Sequence, residues 1–83
     1  MSEVLLVSRA NCHLCDEARP IVQAVARETG HHFAEVDVDQ DAQLRSKYSD
    51  EVPVVLIDGV QHAFWRVDAD RLRKALAPES GSS

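Results

Sequence analysis

Eighty-three residues, 45% hydrophobic and 28% charged with 3 Gly and 3 Pro, describe one small globular domain and exclude a second domain or a chain disordered throughout. Nine basic residues against fourteen acidic ones leave a net charge of -5, which argues against nucleic acid and anionic membrane as partners. No apolar stretch approaches the roughly 20 residues of a membrane helix, and Met1 to Val7 lacks the basic start and apolar length of a signal peptide, so the expected location is the cytoplasm.

Val4 to Val7 is a short apolar run closed by the polar group Ser8 to Asn11, the pattern of a strand buried on both faces. From residue 13 to about 29, Leu14, Ala18, Ile21, Val22, Val25 and Ala26 recur at helical spacing, with Asp16 and Glu17 in the first turn and Gly30 as the stop. Pro20 inside that pattern should bend the helix without ending it. Residues 33 to 38 alternate as a second strand. Asp39 or Asp41 then caps a short helix in which Leu44 and Tyr48 lie one turn apart. Val54 to Ile57 is a third, strongly apolar strand, and Asp58-Gly59 is a hairpin turn that returns the chain as a strand from Val60 to Val67. Asp68 caps a last helix with Ala69, Leu72, Ala75 and Leu76 on its apolar stripe and Val67 stapled to Leu72. Pro78 ends that helix, making 1–78 the expected domain and 79–83 a polar, mobile tail. This order predicts an α/β domain with a mixed four-stranded sheet, parallel across the first crossover and antiparallel at the hairpin.

Cys12 and Cys15 are the only cysteines, too few for a disulfide framework and placed where a strand passes into a helix. Unpaired amides and the dipole at a helix start favour a thiolate. Cys12 is therefore the expected nucleophile, and Cys15, one turn on, can close a disulfide with it and expel a bound partner. Protonated His13 favours the thiolate, while Asp16 on the same helical face opposes it. Arg9 adds positive charge to the rim, and Arg19 is expected to lie too far along the helix to contribute. As a mere staple, the four-residue ring would stabilise by only about 2 kcal/mol, and a reducing cytoplasm would open it. As half of a zinc site, the pair would need His31, His32 or His62, which lack the spacing of a second chelating pair. Pro53 either simply opens its strand or holds a cis bond that presents backbone to a substrate. At least one of Phe64 and Trp65 is expected in the core. His31, His32 and His62 are expected to face solvent, Tyr48 to pack under the sheet, and Asp37, Asp39, Asp41, Asp50 and Glu51 to form a solvated acidic face.

The strand Val4 to Val7, Cys12-His13-Leu14-Cys15 opening a helix, Pro20 five residues later, Val52-Pro53 before an apolar strand, Asp58-Gly59 and a closing helix together resemble the thioredoxin-fold redoxins. More closely, they resemble the glutaredoxin-like branch of small bacterial proteins, over residues 3 to 77. The resemblance implies a thioredoxin-like, glutaredoxin-type sheet flanked by helices and a thiol–disulfide oxidoreductase with Cys12 and Cys15 as its dithiol. Arg9, His13, Val52 and Pro53 form the expected substrate side. In this reading the Val52 backbone, held by a cis-Pro53, pairs with the substrate as an added strand, and Arg9 stands where glutaredoxins carry a basic residue for a glutathione carboxylate. No tightly bound cofactor is implied. The implied substrate is a disulfide-containing protein or a glutathionylated one, and the electron donor is glutathione or a flavin-containing disulfide reductase. The chain departs from glutaredoxins after Gly59, where their Gly-Gly turn and acidic pair are replaced by Val60 to Asp68, and in the filling of the C-x-x-C. The alternative functions are a metal or iron–sulfur module on the same thiolates, and a non-catalytic redoxin-fold interaction domain docking through Phe64 and Trp65.

Overall fold

The computed structural model describes residues 3–76; the expected helix stop at Pro78 and the tail 79–83 lie outside them. Strand β1 (Glu3–Ser8) leads into α1 (His13–Thr29), then β2 (His32–Asp37), a 3-10 turn (Val38–Gln40), α2 (Ala42–Tyr48), β3 (Val54–Ile57), β4 (Val60–Phe64) and α3 (Ala69–Leu76). The sheet runs in the order β2-β1-β3-β4. β1 is parallel to β2 and antiparallel to β3, and β3 is antiparallel to β4. This is the mixed α/β sheet expected from the sequence.

Strand alternation divides the core into two layers. Val4 and Leu6 of β1 and Val55 of β3 face Ala18, Val22, Val25 and Ala26 of α1 and Leu72 and Leu76 of α3. Val7, Val54 and Leu56 point the other way, onto Val38, with Leu44 and Tyr48 of α2 packed against them. Tyr48 thus packs under the sheet as expected. Each fully buried valine or leucine contributes about 1.5–3 kcal/mol relative to exposure, which is why the two interior strands are the most apolar in the chain.

Local chemistry sets the element ends. The Asp41 carboxylate accepts the N–H groups of Gln43 and Leu44 at 2.9 and 3.1 Å, and Asp68 accepts those of Asp70 and Arg71 at 2.9 and 3.2 Å. α1 closes on Gly30 in a left-handed conformation (φ 78°), with the His31 N–H on the Ala26 carbonyl at 2.9 Å. Asp58 and Gly59 both take positive φ, 52° and 85°, as the predicted two-residue hairpin turn requires. α1 runs unbroken through Pro20.

Three expectations are corrected. β4 ends at Phe64, three residues early, because Trp65 turns into the left-handed region (φ 64°) and its N–H reaches back to the Pro53 carbonyl at 2.9 Å. Within β4 the pairing steps from Val55–Ala63 to Leu56–Gln61, so His62 is the extra residue of a bulge and is half-buried. Burial, with Arg71 nearby, lowers its pKa. His31 is also half-buried, its Nε2 lying 2.6 Å from the Leu76 carbonyl, so it ties the turn after α1 to the end of α3.

Candidate functional site

β1 ends at Ser8, and the next four residues turn the chain into α1, with Asn11 in the left-handed region (φ 62°). That turn makes Cys12 the N-cap of α1, in extended conformation. Its Sγ accepts the Cys15 N–H at 3.3 Å, taking the place a serine or aspartate oxygen fills in an ordinary cap. The sulfur therefore sits at the positive end of the helix dipole.

The two thiols differ sharply in environment. Cys12 is half-buried, and Cys15 is 0% exposed. Burial first, then hydrogen bonding to Cys12 and the charge on Cys12, push the Cys15 thiol from its ordinary 9.0 up to about 12; a backbone hydrogen bond from Arg9 and the charge of Arg19 act the other way.

The expected substrate-side residues are placed as follows. His13 opens α1 with a side chain 86% exposed, its Nε2 2.8 Å from a Glu17 carboxylate oxygen. Arg9 meets a carboxylate of the protein itself, since its Nε and Nη2 donate to the two Asp39 oxygens at 3.0 and 3.2 Å. Asp16, set by the sequence against a thiolate, is answered by Arg19 at 3.1 Å, and Arg19 also holds Glu35 at 2.8 Å. Arg19 is thus closer to the dithiol's electrostatics than its position along the helix suggests. Glu35 accepts a further bond from the Ser8 hydroxyl at 2.7 Å.

Val52-Pro53 is a cis peptide bond, the isomer implied by the family resemblance. Val52 is half-buried, and its amide and carbonyl join no hydrogen bond among the described residues. With Leu14, Phe64, Trp65 and Arg66 it lines a cleft of about 460 Å³. Leu14 stands between the two cysteines in the chain, so the cleft draws one of its walls from the C-x-x-C segment. A larger groove of about 640 Å³ runs between α2, Leu56 and Gly59 and includes neither cysteine.

Phe64 and Trp65 are both exposed, at 46% and 53%, which overturns the expectation that one of them fills the core. Their rings meet edge to face at 5.1 Å, and the Trp65 indole N–H donates to the Asp50 carbonyl at 3.0 Å. Leu14 and Arg66 line the cleft without having been singled out by the sequence as site residues, whereas Phe64 and Trp65 stand there as the docking pair of the interaction-domain alternative. Among the described residues no three His, Cys, Asp or Glu side chains are grouped so as to hold one ion, so His31, His32 and His62 do not join the cysteines. No helix among the described residues is long and apolar enough to cross a membrane.

Residues 3–77 match the family model described as glutaredoxin-like domain (DUF836). An uncharacterized protein of Mycobacterium tuberculosis is 36% identical over 80 residues, which cover 90% of this chain and 82% of that one. The X-ray structure of a structural-genomics target from X. campestris is 40% identical, with a TM-score of 0.71, over 90% of this chain and 99% of that one. A mutant thioredoxin from Halobacterium salinarum, 26% identical, also gives 0.71, over 99% of this chain and 75% of its own.

Proposed function

The chain belongs to the glutaredoxin-like domain family and has the thioredoxin-like fold, and from this premise we propose that it is a thiol–disulfide oxidoreductase working through Cys12 and Cys15. The observation that carries the reading is the contrast between the two thiols: a half-buried sulfur at a helix N-cap, backed one turn deeper by a fully buried thiol held protonated.

The steps follow from that contrast. The Cys12 thiolate attacks one sulfur of the substrate disulfide, the S–S bond breaks, and the first substrate thiolate leaves and takes up a proton. Cys12 is now in a mixed disulfide and carries no charge, so two of the influences that held the Cys15 proton, the hydrogen bond to Cys12 and its charge, are gone. Cys15 loses its proton and attacks the Cys12 sulfur, releasing the second substrate thiol. The substrate gains two electrons and two protons, and the protein is left with a Cys12–Cys15 disulfide. Two glutathione molecules, oxidised to their disulfide, or a flavin-containing disulfide reductase return the electrons. The substrate is a protein disulfide or a glutathionylated protein, aligned by strand pairing to Val52 beside Pro53.

Reduction of a peptide disulfide and of a glutathione mixed disulfide by pre-reduced, metal-free protein tests this. Cys12→Ser should abolish turnover, and Cys15→Ser should trap the mixed disulfide. Turnover retained without Cys12, or absent from the unmodified protein on both substrates, overturns the proposal.

A further inference from the structure

We infer that the disulfide reduced here belongs to a protein segment with an apolar side chain and an acidic neighbour beside its cysteine, seated in the cleft of Leu14, Val52, Phe64, Trp65 and Arg66. The inference rests on the oxidoreductase reading and specifies its substrate.

Three large apolar side chains stand in water around one cleft: Leu14 at 37% exposure, Phe64 at 46% and Trp65 at 53%. Scattered exposed apolar residues need no explanation, but a cluster does. This cluster reaches the segment that carries the dithiol through Leu14, the second residue after the N-cap Cys12. The backbone is also built to hold it outward. Trp65 takes a left-handed conformation (φ 64°), which costs a non-glycine residue roughly 1–2 kcal/mol, and is pinned there by its N–H on Pro53 and its indole on Asp50. Anchored aromatics with one face open are what binding hot spots are made of.

Charge narrows the ligand further. Arg66, the one charged residue lining the cleft, forms no ion pair among the described residues, whereas Arg9, Arg19 and Arg73 each hold carboxylates. A carboxylate on the incoming segment therefore meets an uncommitted guanidinium. The opposite flank of the α1 N-terminus repels such a charge: the recess of Ser8, Arg9, Asp16, Arg19, Glu35 and Asp37 sets three carboxylates against two guanidiniums that are already paired. An anionic tripeptide such as glutathione finds no unpaired cation there. A chain extended along Val52, with its apolar side chain between Leu14 and Trp65, satisfies both the cleft and the open backbone groups.

Two peptide disulfides capped by the same small thiol test this, one with Phe and Asp flanking its cysteine and one with Ser at both places. The reduced protein should favour the first in kcat/KM by roughly tenfold or more. Phe64→Ala should cut that preference severalfold, and Arg66→Glu should do the same but recover when the peptide's Asp is replaced by Lys. Binding is read separately from turnover, because Trp65 is the chain's single tryptophan. In Cys12→Ser protein its emission should change saturably with the apolar, acidic peptide carrying Ser for Cys, and stay flat with the polar one. Equal turnover of both peptides with flat emission overturns the inference and leaves the oxidoreductase reading intact. Saturable emission without turnover upholds the docking cleft and removes the reductase; loss of both overturns both.

Discussion

Alkylation of the Cys12→Ser variant measures how firmly the fold withholds Cys15. In that variant the neighbouring thiol is gone, but burial, the largest cause of the raised value, is kept. At pH 8 a thiol near 9 is ionised in roughly a tenth of molecules and one near 12 in roughly one in ten thousand, a thousandfold difference. The more basic thiolate is also more nucleophilic, by about twentyfold for a Brønsted slope near 0.45. Ionisation alone therefore slows the reaction by up to about fiftyfold, and enclosure at 0% exposure multiplies that factor. The assay is the rate of iodoacetamide addition at pH 8, followed by intact mass, for native protein and for the same variant unfolded in urea. A native rate tens of times or more below the unfolded one is expected. Native Cys15 reacting within about threefold of the unfolded rate would refute the contrast between the thiols, and with it the order of steps proposed above.

Two further outcomes follow from the scaffold. Arg19 first, then the Ser8 hydroxyl, hold the Glu35 carboxyl below the usual carboxylate range against the opposing effect of burial; its contribution to stability is present above that range and lost as pH falls through the lowered value. Glu35→Gln should lower the urea midpoint at pH 7, with the gap to the unmodified protein closing below about pH 4; a gap that does not vary with pH would contradict the assignment. A Cβ on Gly30 would meet nothing within 4 Å, so Gly30→Ala should cost only the left-handed conformation, about 1 kcal/mol, seen as a drop in Tm of roughly 4–8 °C; an unchanged Tm would mean that the cap carries no such cost.

The parts of the fold legible in the sequence were those decided within a few residues. The apolar run of β1, the span of α1, the Asp41 and Asp68 caps and the Asp58-Gly59 turn all depend on side-chain periodicity or on a side chain bonding its own neighbouring backbone. Cys12 and Cys15 were legible for the same reason, since a C-x-x-C at a helix start places one sulfur at the cap and the other a turn away. Residues 52 and 53 were less so: taken alone they left both isomers open, and only the family resemblance implied the cis form.

What the sequence could not decide was what each side chain meets across the fold. By sequence Arg9 is a rim cation open to a ligand, and in the fold it is held by Asp39, thirty residues away. By sequence His31 is a solvent-facing polar residue, and in the fold it meets the Leu76 carbonyl, forty-five residues away. Phe64 and Trp65 have the composition of a core pair, yet both are exposed, Phe64 at the end of β4 and Trp65 in a turn held by a backbone bond to Pro53. Hydrophobicity reports how much a side chain gains by leaving water, not whether a buried site remains for it once other residues have packed. Local pattern thus determined the elements, the caps and the dithiol. Only the packed structure decided that Cys15 is enclosed while Phe64 and Trp65 remain in water, because burial is a property of all the neighbours at once.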